Sequence, residues 1–156
     1  MDNKVCFFIG HREANESIMP ALQCCIEKHI LTFGVDIFIV GQYGKFDRMV
    51  ISALRTIKQR YPWITLLLLI PYHPAERPVP VPCGFDNTYY PAGMETVPKS
   101  IAIVRANRYM VDHCNYLIAY VTHTGSNAEK LLDYAYNKEK RKLIHIENLG
   151  VCNNES

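Results

Sequence analysis

Two glycine-bearing turns, each at the end of an apolar run, place side chains where an anion could be held. Val5-Cys6-Phe7-Phe8-Ile9 runs into Gly10-His11-Arg12, and Val35-Asp36-Ile37-Phe38-Ile39-Val40 runs into Gly41-Gln42-Tyr43-Gly44-Lys45-Phe46-Asp47. A helical pattern follows each. Where a strand ends in glycine and opens a helix, free backbone N–H groups and the positive helix end meet at one spot. Glycine lets the backbone come close to a phosphate and take positive φ. Arg12 could grip a phosphate bidentately, and His11 could donate to it or move a proton near neutral pH. The plain alternatives are a solvated arginine and a packing histidine. Asp47 stands where the second helix begins, either as a helix-end carboxylate or as a ribose-binding group.

Two further segments carry polar chemistry. Thr122-His123-Thr124-Gly125-Ser126-Asn127 precedes a late helix, and its hydroxyls, Asn127 and its amides suit a phosphate or ribose. Ser126 or Asn127 serves equally as an N-cap, and both roles can coexist. Arg105, Arg108 and Asp112 share one helical stripe, which is either a solvated charged face or a second phosphate clamp. In open α/β sheets the ligand crevice lies at the carboxyl ends of the strands. These segments are therefore expected to converge there, together with a loop rich in proline.

The elements that must position them alternate strand and helix, which predicts a three-layer α/β/α domain around a mainly parallel, doubly wound sheet. Strands are expected at Lys4–Ile9, Val35–Val40, Ile64–Leu69, Tyr116–Val121 and Lys142–Glu147. The first helix should be capped by Ser17, bury Ile18, Ala21, Leu22, Cys25, Ile26, Ile30 and Phe33, and end at Gly34. The second buries Met49, Val50, Ala53, Leu54 and Ile57 and stops near Tyr61, before Pro62. Later helices are expected over Ser100–Cys114 and Asn127–Lys140. Between them Pro71, Pro74, Pro78, Pro80 and Pro82 form a stiff segment that cannot be helix or central strand. It either lies over the crevice as a lid or only carries the chain to the sheet edge. The polar tail Asn148–Ser156 is expected to fray.

The chain has 156 residues, 49% hydrophobic and 21% charged, which suits one globular domain spanning 1–156. A formal net charge of +2 is too mild to indicate nucleic acid or a membrane surface. The apolar start is only a strand long and follows Asp2 and Lys4, so no signal peptide is expected, and no run reaches membrane-spanning length. A cytoplasmic location is the corresponding expectation. None of the six cysteines forms a CxxC pair, and the histidines lack metal-ligand spacing, so no disulfide framework, metal or cofactor is expected. Cys6, Cys25 and Cys114 fall on apolar positions as small buried hydrophobes.

Phe8-Ile9-Gly10-His11-Arg12, the Gly41-xx-Gly44-xx-Asp47 turn, Arg105 to Asp112 before Tyr116-Leu117-Ile118-Ala119-Tyr120, and Gly125-Ser126-Asn127 together carry a resemblance. In this order they resemble the SLOG superfamily of Rossmann-like domains, which includes the LOG cytokinin-activating enzymes and the DNA-processing SMF domain. The similarity is greatest to a bacterial and phage branch proposed to bind nucleotide-derived ligands, and it spans roughly Lys4 to Ile146. It implies a nucleotide, ADP-ribose or NAD-like small molecule as the partner, with a homodimer left open. LOG enzymes release a base from a nucleoside monophosphate through a PGGxGTxxE stretch and an arginine. Here Gly125 and Glu129 keep the glycine-to-glutamate spacing and Ser126 replaces the threonine, but the Pro-Gly-Gly opening is absent. The resemblance thus implies a ligand binder first. An N-glycosidase using Glu129 and Arg108 is the alternative, and a protein-interaction module, with Tyr89-Tyr90 on its surface, is a third.

Overall fold

The computed structural model describes residues 3–141 and 143–150. Apolar runs at the expected places form a six-stranded, wholly parallel sheet. Its strands are β1 (Val5–Gly10), β2 (Ile37–Val40), β3 (Thr65–Leu69), β4 (Asn87–Tyr89), β5 (Tyr116–Tyr120) and β6 (His145–Asn148). The spatial order is β4-β3-β2-β1-β5-β6. From β1 the chain steps outward to β4, then returns to the other side of β1 for β5 and β6. The order therefore reverses between β1 and β5, the place where a doubly wound sheet opens a crevice.

Helices cover both faces. α1 (Met19–Leu31) and α2 (Lys45–Arg60) lie on one side, α3 (Ala102–His113) and α4 (Asn127–Glu139) on the other, as crossovers of one hand in opposite directions require. Alternation along β1 feeds both layers: Cys6 and Phe8 join Leu22, Ile26, Val50 and Leu54, whereas Phe7 and Ile9 join Ala106, Met110, Leu132 and Ala135. The α/β class and the doubly wound, three-layer arrangement expected from the sequence are those observed. Among the described residues no helix is long and apolar enough to cross a membrane.

Several local expectations are corrected. Ser17 does not cap α1. Asn15 accepts from the Ser17 N–H and opens a 3-10 turn over Glu16–Ile18, and α1 begins only at Met19. Gly10-His11-Arg12 therefore does not open directly into a helix. Ala21 lies on the exposed side of α1 rather than in its buried stripe. The strand β4, which follows the proline segment, had no signal in the sequence: it is three residues long and, among the described residues, pairs with β3 alone. Lys142, the expected start of the last strand, and residues 151–156 of the expected tail lie outside the described residues.

Candidate functional site

A cavity of about 430 Å³ opens at the carboxyl ends of β1 and β2, roofed by α3 and the start of α4. Such a volume is within the range of small-molecule sites. Its walls follow from local backbone requirements. Gly10 ends β1 against the ring of Phe46, and any Cβ there would overlap that ring, so the glycine lets α2 pack onto the sheet. Gly44 has φ +125°, and a Cβ on it would stand 2.8 Å from Arg12 Cα. Its neighbour Lys45 donates its N–H to the Arg12 carbonyl at 2.8 Å. The two glycine turns are thereby locked together, and Arg12 is presented beside the N-terminus of α2.

His11 is buried and ties β1 to the loop after β5. Its Nε2 accepts the Thr122 N–H at 2.8 Å, and its backbone N–H donates to the Tyr120 carbonyl at 3.2 Å. The ring stacks on His123 with centroids 3.9 Å apart and planes 5° from parallel. Burial, and then the neighbouring His123, lower its pKa from the usual imidazole value. His11 is thus a neutral ring at pH 7, with Nε2 committed as an acceptor. His123 lies over it at the cavity wall and offers a flat face.

Asp47 is a half-buried carboxyl group in the wall of the same cavity. Its Oδ2 accepts the Tyr43 N–H at 3.0 Å, and a Cβ on Gly41 would stand 3.1 Å from that oxygen. Burial pushes the carboxyl up to about 7, although the Tyr43 N–H and nearby Arg48 pull the other way. Near neutral pH it both donates and accepts hydrogen bonds, which suits a sugar hydroxyl or a base edge.

On the opposite wall α3 contributes Ile103, Val104, Asn107 and Arg108, and the start of α4 contributes Ser126, Asn127, Ala128, Lys130 and Leu131. Arg12, Arg108 and Lys130 surround the mouth and make no ion pair among the described residues. Arg108 is steadied instead by the ring of Tyr134, 4.9 Å from its guanidinium carbon. Arg12 and Arg108 thus share the cavity with the start of α4, which carries Lys130 and adds its own positive end.

Of the residues singled out from the sequence, Gly10, His11, Arg12, Gly41, Asp47, Arg108, Ser126 and Asn127 line this cavity. Gly44, Arg105, Thr124, Gly125 and Glu129 do not. Gly44 acts one layer behind by joining the turns, and Arg105 lies on the exposed side of α3. Gly125 has φ +86° with open space around it. Ser126 caps α4 by accepting the Glu129 N–H at 3.0 Å, and Glu129 reaches back to accept the Gly125 N–H at 3.2 Å. This is a variant of the capping box in which the carboxylate reaches the residue before the cap instead of the cap's own N–H. The Glu129 carboxylate is lowered by hydrogen bonds from Asp133, whose carboxyl is raised in turn, and from Gly125. The proline segment contributes nothing to the lining; it carries the chain to the edge strand β4. Tyr89 and Tyr90 are half-buried, and Tyr89 meets Tyr109 across 3.5 Å between hydroxyls.

No family model and no curated protein matches this chain.

Of the wall residues, His123 falls in the Thr122–Asn127 segment expected at the crevice, whereas Ile103, Val104, Asn107 and Lys130 carry no site expectation from the sequence. The signal was present for Lys130, which belongs to the first turn of α4. Ile103 and Val104 lie in the expected Ser100–Cys114 helix, and apolar side chains at a helix start give no sign that they face a cavity.

Proposed function

We propose that this chain is a SLOG-like domain that binds a nucleotide-derived anionic small molecule at the switch point between β1 and β5. The observation that carries the reading is the convergence of Arg12, Arg108 and Lys130 with the N-terminus of α4 around one cavity. Phosphate is the ligand group that such a donor set favours, through bidentate arginine contacts and free first-turn N–H groups. The exposed His123 face and the apolar side chains of Ile103, Val104 and Leu131 suit a planar base. Asp47 then meets a hydroxyl or base edge at the inner end. No cysteine is among the lining residues, and the Ser126 hydroxyl is engaged in the cap. The N-glycosidase alternative draws no support from Glu129, whose carboxylate serves the α4 cap.

Calorimetric titration with nucleoside monophosphates, ADP-ribose and NAD tests the reading. At least one should bind saturably without release of base, and Arg12→Ala should weaken it by about 1.5–3 kcal/mol, the range for a hydrogen bond to a charged group. Equal affinity in a folded Arg12→Ala protein, or absence of binding to every member of the set, would refute it.

A further inference from the structure

Between α1 and the edge strand β6, three side chains of metal-binding type meet, and none of them lines the crevice. Cys25 and His29 stand one turn apart on the buried face of α1, and Glu147 approaches from β6. The Cys25 thiol donates to Glu147 Oε2 at 3.3 Å, and its sulfur lies 3.8 Å from His29 Nδ1. One donor atom from each of the three lies within 4.8 Å of the others. His29 Nδ1–H donates to the Cys25 carbonyl at 2.7 Å, which leaves the ring's lone pair on Nε2. That nitrogen is the one buried side-chain nitrogen or oxygen without a partner among the described residues, and His29 has no exposed surface. Metal-bound histidines hold their second nitrogen on a backbone carbonyl in this way.

We propose that Cys25, His29 and Glu147 form a site for one divalent cation of the zinc type, with Cys25 bound as the thiolate. A thiolate, an imidazole and a carboxylate make a donor set of borderline softness, which suits zinc better than calcium or magnesium. With metal–ligand bonds of about 2.0–2.3 Å, neighbouring donors of a tetrahedral site stand roughly 3.3–3.7 Å apart. The sulfur–carboxylate pair at 3.3 Å already meets this spacing. The charges balance: two anionic ligands neutralise the cation, while Lys28 pairs with Glu147 through Oε1 and leaves Oε2 for the metal. Water would take the remaining position of a tetrahedral site.

On binding, the S–H bond breaks, a sulfur–metal bond forms and the proton leaves to solvent, with no change of oxidation state. In the metal-free protein, burial and the adjoining Glu147 carboxylate push the thiol up to about 12, so the sulfur keeps its proton until a cation displaces it. The rings of Phe33 and Tyr116, 5.0 and 5.6 Å from His29 between centroids, enclose the imidazole. The pair Cys25-xxx-His29 carries little signal in the sequence, and Glu147 is 122 positions away from Cys25.

The test uses tag-free full-length protein, stripped with a chelator and titrated with Co(II), and with Zn(II) against a chromophoric competitor. One equivalent of cobalt should bind and give thiolate-to-metal absorption in the near ultraviolet. That absorption should vanish in Cys25→Ser and persist in Cys24→Ser, where the neighbouring exposed thiol is removed instead. Zinc affinity should fall at least about 10²-fold in Cys25→Ser, more than loss of an outer-shell partner costs. It should fall also in Glu147→Gln, a change at a partly exposed position that leaves the core intact. Failure of the wild type to bind one equivalent, absorption that survives Cys25→Ser, or unchanged zinc affinity in a folded Glu147→Gln protein would each overturn the site.

Discussion

Asp47 is a carboxyl group held where water reaches it poorly, and its cost to the fold depends on pH. Its free value is 3.8, and burial raises it to about 7 in the folded chain. Below about pH 4 both folded and unfolded chains hold the proton. Between about pH 4 and 7 the unfolded chain releases it while the folded chain keeps it, so stability falls as pH rises through this window and levels off above it. Asp47→Asn cannot ionise and still offers an oxygen to the Tyr43 N–H. At pH 8 the variant should therefore be more stable than wild type by on the order of 1–4 kcal/mol, at ~1.4 kcal/mol for each tenfold change in acidity. At pH 4 the two should be nearly equal. Urea unfolding at both pH values decides it, and an identical difference at each would remove Asp47 as the source. His11 shifts in the opposite sense, because burial lowers its pKa. Its neutral form is favoured above the unfolded value of about 6.5, so its contribution to stability is lost as pH falls below that.

At the scale of elements, the two glycine turns act as one device. Gly44 sits at φ +125°, a conformation that side chains rarely adopt, and its missing Cβ lets the second turn rest on Arg12. Gly44→Ala should strain the backbone and push the turns apart, costing about 1–3 kcal/mol. Because Arg12 moves with its turn, the same change should weaken ligand binding, although Gly44 touches no ligand in the proposed pose. Chemical denaturation together with titration of the variant checks both effects. Loss of stability with full affinity would show that the turns are not coupled. The glycines were legible in the sequence, but their work was not. Nothing in Gly10 or Gly44 alone announces Phe46 or Arg12 as the neighbour, since those contacts arise only when β1, β2 and α2 assemble. The cap of α4 was more legible, because Ser126 and Glu129 are three apart and the bonds that join Gly125, Ser126 and Glu129 are local. Ser17 misled for the same reason: Asn15 two residues earlier is an equally good cap, and the chain uses it. β4 left no trace because three residues on an edge need no apolar run.

For the whole molecule, the reversal of strand order between β1 and β5 brings both helical layers to one cavity. Arg12 and Asp47 come from the side of α1 and α2, and Arg108 and Lys130 from the side of α3 and α4. This convergence was legible as a class of architecture, because alternating strand and helix patterns leave few ways to wind a parallel sheet. The identity of the facing residues was not, since α3 and α4 meet the glycine turns only through the crossover. A ligand bridging the two layers resists unfolding of the whole domain, not of one loop. At a concentration of 100 times its dissociation constant, such a ligand adds about 2.7 kcal/mol. For a domain of this size each kcal/mol raises Tm by roughly 2–4 °C, so the expected rise is about 5–11 °C. In Arg12→Ala, with affinity lowered by about 1.5–3 kcal/mol, the same concentration should yield less than half of that stabilisation. Calorimetric melting with and without ligand makes the comparison. A ligand that raised Tm equally in both proteins would bind elsewhere than between the two layers.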